Sequence, residues 1–119
     1  MKSANDMIQI TSNTYMKRGD IWQMINGMSV IGERHLKLID NIHAFENDEK
    51  FQIIYSDVLT LARNAIKDML KSYIVDEFKL KYSDANSIII LMDMSNAFRS
   101  TEYFDKWKKE ILEYLNEME

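Results

Sequence analysis

From Asp48 to Ile74 the chain keeps an unbroken helical period. Phe51, Tyr55, Val58, Ala62, Ala65, Met69 and Tyr73 recur at spacings of three and four, and Ile54, Leu59, Leu61, Ile66 and Leu70 widen the stripe. Asp57, Thr60, Arg63, Asn64, Lys67, Asp68 and Lys71 hold the other side. At about 100° per residue, roughly half of the circumference is apolar. One neighbour cannot bury a stripe that wide, so two or more further elements must be laid against it.

The absence of proline points the same way. At an average usage of about 5%, roughly six prolines would be expected in a chain of this length. A helix interior is where proline costs most, about 3 kcal/mol. With 119 residues, 46% of them hydrophobic and 29% charged, the chain has the size and composition of one ordinary globular domain. The expectation is an all-α, single-domain bundle of about five helices, over residues 20–28, 31–46, 48–78, 84–98 and 101–117. The long amphipathic helix 48–78 and a central apolar helix within 85–98 are its main members.

Taken in order, residues 1–6 form a polar start. Ile8 and Ile10 then alternate with Gln9 and Thr11, which suits a short strand or an extended arm over 1–15. Asp20 is placed to cap a helix carrying Ile21, Met24, Ile25 and Met28. Gly27 and Gly32 suggest that this helix ends and a second begins, with Ile31, His35, Leu38, Ile39, Ile42 and Phe45 facing inward. Asn47-Asp48 restarts the chain. Phe78, Leu80 and Tyr82 alternate with lysines, so 78–82 could pair as a strand with 7–11. Two isolated strands are only marginally stable, which favours helix to about Lys79. Ser83 and Asp84 offer a cap for 85–98, whose run Ile88 to Met92 is apolar nearly all round and suits a bundle centre or a buried strand. Ser100 or Thr101 caps the last helix, where Phe104, Trp107, Ile111, Leu112, Tyr114, Leu115 and Met118 share one face.

Several classes of chemistry lack their residues. Without cysteine there are no disulfides, thiolate metal sites or cysteine nucleophiles. With three glycines there is no phosphate-binding loop, dinucleotide fingerprint or nucleophile elbow. The longest apolar run is far short of a membrane span, and the N-terminus carries no signal-peptide core, so the expected location is cytoplasmic. His35 and His43 lie eight apart, and His43 with Glu46 is a single pair rather than a bundle metal site. A half-buried His35 bonded to a neighbour is the expected arrangement. Asp93, amid an apolar segment, is expected to form a buried pair with Lys or Arg. No catalytic residue, cofactor or metal ligand is assigned, and the chain is read as a non-enzyme.

Two binding readings remain. Residues 17–45 can be drawn as helix, turn at Gly27, helix, with Lys17, Arg18, Arg34, His35 and Lys37 giving basic character, as in a helix-turn-helix regulator of nucleic acid. Glu33 and Asp40 on the would-be reading helix oppose it. So does the overall charge of −4, because the excess acid lies wholly in the C-terminal third. The Arg18-Gly19-Asp20 tripeptide matches an adhesion sequence too short to inform. The preferred reading is a non-catalytic protein–protein interaction module, its candidate partner-binding residues being Trp22, Met24, Met28, Leu36 and Ile53. A count of apolar faces adds self-association as a homodimer, with Trp22, Leu36, Ile53, Tyr103 and Tyr114 left over in a monomer. The usage of Met, Ile, Asn, Asp and Lys resembles that of an AT-rich phage, virus or bacterium. Size and composition are similar to small all-helical phage and viral proteins that bind host proteins, including Bcl-2-like bundles, an analogy of architecture that carries no residue across.

Overall fold

A computed structural model describes residues 7–117, and three quarters of it is helical. The order is β1 (Met7–Thr11), β2 (Thr14–Lys17), α1 (Arg18–His43), α2 (Gln52–Phe78), α3 (Tyr82–Met94) and α4 (Thr101–Glu117). No helix among the described residues is long and apolar enough to cross a membrane. The polar start over 1–6 and the place of Met118 on the last helix lie outside the described residues.

The strand at 7–11 exists, but its partner is local. β1 pairs antiparallel with β2 across Ser12 and Asn13, with Ile8 opposite Met16 and a bulge between Gln9 and Thr11. A two-residue connection closes such a pair far more readily than a partner seventy residues away. Residues 78–82 form no strand. The hairpin is not left alone: Met16 is buried, Ile8 and Ile10 pack on the core, and the Thr11 hydroxyl donates to Asp84 Oδ1 at 3.1 Å.

The expected helices 20–28 and 31–46 are one helix, α1. Its two interior glycines do not break it, and only Gly27 marks a close approach. A Cβ on Gly27 would overlap the ring and hydroxyl of Tyr73, whereas one on Gly32 would rest in ordinary contact, 3.5 Å from the Phe104 ring. Read in one phase, Ile21, Met24, Ile25, Met28, Gly32, Leu36, Ile39 and Ile42 form a single buried stripe. Leu36, which the divided reading put off the inner face, is fully buried, whereas Leu38 is half exposed. Asp20 falls in the first turn, where a carboxylate suits the helix N-terminus, but it makes no cap; the N-cap is Lys17.

After α1 a turn follows, in which Asp48 Oδ1 accepts the N–H groups of Lys50 and Phe51 at 2.9 and 3.3 Å. α2 then begins at Gln52 rather than 48. Its fully buried residues are Ile66, Leu70 and Ile74 only, and its first half has none. It stops where Lys79 turns left-handed (φ 57°), close to the expected end. α3 starts from Lys81, before Ser83 and Asp84, and ends at Met94; Asn96 (φ 63°) takes the left-handed conformation that asparagine tolerates, and Ala97 and Phe98 are buried in the turn. Ser100 caps α4, accepting the Tyr103 N–H at 3.3 Å, while Asp40 reaches across from α1 to accept the Thr101 N–H at 3.0 Å.

The bundle thus has four helices, not five, and its centre is α1 rather than the apolar segment 85–98. α2 packs on α1 and on α3, and α4 packs on α1. The contacts His43–Tyr55 and Gly27–Tyr73 set α2 antiparallel to α1; Lys67–Asp93 and Lys71–Asn86 set α3 antiparallel to α2; Asp40–Thr101 and Gly32–Phe104 set α4 antiparallel to α1. A closed ring of four helices needs a fourth close pairing, α3 on α4. That pairing is not among the close ones, and α3 shows Ile90, Leu91 and Met94 to solvent.

Candidate functional site

The open edge of the ring is an apolar groove of about 500 Å³. Ile21, Met24, Ile25 and Met28 of α1 form its floor. One wall is α3, through Ile88, Leu91, Met92 and Met94, continued by Ser95 just past its end; the other is α4, through Trp107 and Ile111. Ile10 and Met16 of the hairpin close one end. Five of the nine methionines thereby share one surface, and methionine is the side chain best able to repack around different shapes. At the lip, Leu91 is 54% and Met94 75% exposed. A second recess of about 310 Å³ lies behind α4, between Ser29, Glu33, Leu36, Thr101, Phe104, Asp105 and Lys108.

Of the five candidate partner-binding residues, Met24 and Met28 meet in this groove, although both are nearly inaccessible as floor residues. Leu36 borders the second recess and is fully buried. Trp22 is half-buried against the core, and Ile53, 87% exposed, stands in the first turn of α2, at the end where His43 closes α1. The single patch expected of these residues does not form, because continuous α1 turns Leu36 inward while α2 carries Ile53 outward. The lip residues Leu91 and Met94 and the wall residues Trp107 and Ile111 escaped sequence reasoning. For Leu91 and Met94 the signal was the apolarity of the run 88–92 and Met94, which marks here not a central helix but an outer one with a second face to cover.

The polar candidates take structural places. His35 Nδ1–H donates to the Ile31 carbonyl at 2.9 Å from a half-buried position, as expected. His43 has both ring nitrogens engaged. Nε2–H donates to the Arg99 carbonyl at 2.9 Å, and Nδ1 shares a hydrogen bond of 2.8 Å with the Tyr55 hydroxyl. His43 and Glu46 therefore do not offer a free ligand pair. Asp93 does pair with a lysine, Lys67, at 2.8 Å, but on the surface rather than buried: its side chain is 49% exposed. Burial, with Glu77 second, raises the Tyr73 hydroxyl above the usual tyrosine value. Burial pulls Lys71 down, but its contacts with Tyr82 and Asp68 outweigh that and leave it above the usual lysine value.

The helix-turn-helix drawing of residues 17–45 does not match the fold. α1 runs without a turn through Gly27, and Arg18-Gly19-Asp20 is its first turn. Arg34 and Lys37 lie 16 or more residues along the same helix from Arg18, some 24 Å at about 1.5 Å per residue. No family model matches the chain, and neither the curated proteins nor the solved structures show a match to it.

Proposed function

We propose that this protein is a non-catalytic protein–protein interaction module that seats a helical segment of a partner between α3 and α4. The observation that carries this reading is the unclosed edge of the helix ring, walled by two antiparallel helices and floored by a third. Such a gap suits an amphipathic helix that inserts side chains at i, i+3 or i+4 and i+7. A photoreactive residue placed at Leu91 or Met94, in cells of the native host, is expected to give a discrete protein adduct. One placed at Val30, which is equally accessible but on α1 outside the groove, is expected to give none. Adducts alike at both places, or at neither, would reject the reading.

A second reading rests on a different surface. Ile54, Val58, Leu61 and Ala65 recur at four, three and four along the first half of α2, and none of them is fully buried; Leu61 is 70% exposed. This is the spacing of a helix-pairing seam. A second copy of the chain, laid across it about a two-fold axis, forms a homodimer and leaves the groove free.

A further inference from the structure

We infer that the second copy on the α2 seam runs antiparallel, with Ile54 set against the partner's Ala65 and Val58 against the partner's Leu61, an inference that rests on the second reading above. A two-fold axis along the helix makes the pair parallel and sets each residue on its own copy; an axis across the helix makes it antiparallel. Side-chain size separates the two. In a parallel pair the layers run from Ile54 on Ile54 to Ala65 on Ala65, wide at one end and hollow at the other. In the antiparallel pair every layer sets a larger side chain against a smaller one, Ile54 on Ala65 and Leu61 on Val58, and the helices keep a more even spacing. The seam is complementary to its own reverse, which is what an interface between two copies requires.

The flanks of the seam point the same way. At about 100° per residue the seam lies opposite the buried Ile66, Leu70 and Ile74, with the half-buried Tyr55, Ala62 and Met69 along one side and the exposed Asp57 and Asn64 along the other. A parallel pair brings unlike flanks together, so that Asp57 meets Ala62 and Asn64 meets Met69. An antiparallel pair brings each flank against itself. Tyr55 then meets Ala62, apolar on apolar, and Asp57 meets Asn64, whose amide N–H groups donate to the carboxylate on both sides of the axis. Asp68, the next seam position after Ala65, is 75% exposed, with Lys71 of its own chain at 3.4 Å. A parallel pair stacks Asp68 on its own copy, like charge on like. In the antiparallel pair the two Asp68 side chains leave the seam at opposite ends, about 25 Å apart at about 1.5 Å per residue. Each passes the partner's turn of Asp48, Glu49 and Lys50, beyond the last apolar layer.

The chain has no cysteine, so single cysteines report the arrangement directly. The full chain is made as Ile54→Cys and as Ala65→Cys, and the two proteins are oxidised separately and mixed. In the mixture the disulfide between positions 54 and 65 is expected to form at least tenfold faster than any disulfide in either protein alone, because antiparallel copies hold like cysteines about 16 Å apart. Asn64→Lys, facing the partner's Asp57, is expected to tighten the dimer at least threefold at low salt and Asn64→Asp to weaken it as much, both effects shrinking as salt rises. Disulfides that form at least as fast in the separate proteins as in the mixture would mean a parallel pair, and would overturn the inference while leaving the seam reading standing. A dimer that Ile54→Glu with Leu61→Glu dissolves, yet that gives no rapid disulfide in any of the three samples, would place another register and overturn it as well. A wild-type chain monomeric by light scattering at every concentration, or a dimer that those two glutamates leave intact, would remove the seam reading itself.

Discussion

At the scale of single residues, the contact between Gly27 and Tyr73 shows how a position can mislead and why. A glycine inside a helix costs about 1 kcal/mol relative to alanine, so its presence reads as a helix end. Here it lets the Tyr73 ring lie against the α1 backbone. Gly27→Ala is therefore expected to destabilise the protein by about 1 kcal/mol net, overpacking of about 1–3 kcal/mol outweighing the better helix propensity. In a Tyr73→Ala background the same change should become neutral or stabilising. Urea titration of the four proteins of this cycle checks the sign reversal. Tyr73 also couples stability to pH. Its raised folded value means that below about pH 10 the proton is held in both states and the contribution is complete. As pH climbs past the ordinary value, the unfolded chain loses its proton first and stability falls until the folded value is passed. Tyr73→Phe should decline less steeply above pH 10 when the urea midpoints of both proteins are followed.

At the scale of elements, α2 separates what periodicity reveals from what it does not. Its existence and its end near Lys79 were legible in the spacing of apolar residues, but its polar side was not: Arg63, Lys67 and Lys71, read as lying opposite the apolar stripe, are half-buried, whereas Leu61 of that stripe is 70% exposed. Which of the apolar residues would be buried was not legible either, because a stripe covering half a helix exceeds what its neighbours can cover. The core takes Ile66, Leu70 and Ile74, while Ala65, central to the sequence pattern, is exposed. Ala65→Asp, which the pattern alone marks as disruptive, is therefore expected to cost the monomer no more than about 1 kcal/mol, chiefly through the poorer helix propensity of aspartate, whereas Leu70→Ala should lose about 2–5 kcal/mol. Circular dichroism during thermal unfolding ranks the two, and an Ala65→Asp protein that fails to fold would contradict this placement. The same limit applies to α3. Its apolarity was plain in the run Ile88 to Met92, but its position at the outside of the ring depends on which helix pairs close, and that is a tertiary fact. The capping of α4 by Ser100 was readable; the second acceptor, Asp40, comes from 61 residues away and was not.

At the scale of the molecule, the accessible surface is 7989 Å². A folded monomer of this mass has roughly 6,700 Å² by the usual scaling. The excess agrees with the elongated shape, 61 Å by 27 Å by 21 Å. It also agrees with the two uncovered apolar surfaces, the groove and the first half of α2. If a second copy covers the α2 seam, light scattering at micromolar concentration should return twice the chain mass of 14.1 kDa. Ile54→Glu with Leu61→Glu should then return the monomer without loss of helix content. A wild-type protein that stays monomeric on concentration would assign that seam to solvent or to a different chain.

The links made by Asp40 and His43 bear on the order in which the molecule can assemble. They join α1 to residues 61 and 56 positions further on, whereas α1 and α2 are joined by a connection of only eight residues, 44–51. Closing a long loop carries a larger entropic barrier than closing a short one, so the α1–α2 hairpin is the part best able to form early. The groove needs α3 and α4 both in place, and it is complete only when the last of these long-range links has closed. A segment seated there would accordingly bind the finished molecule and none of its precursors, and would stabilise the whole folded chain by an amount that rises with the logarithm of its own concentration.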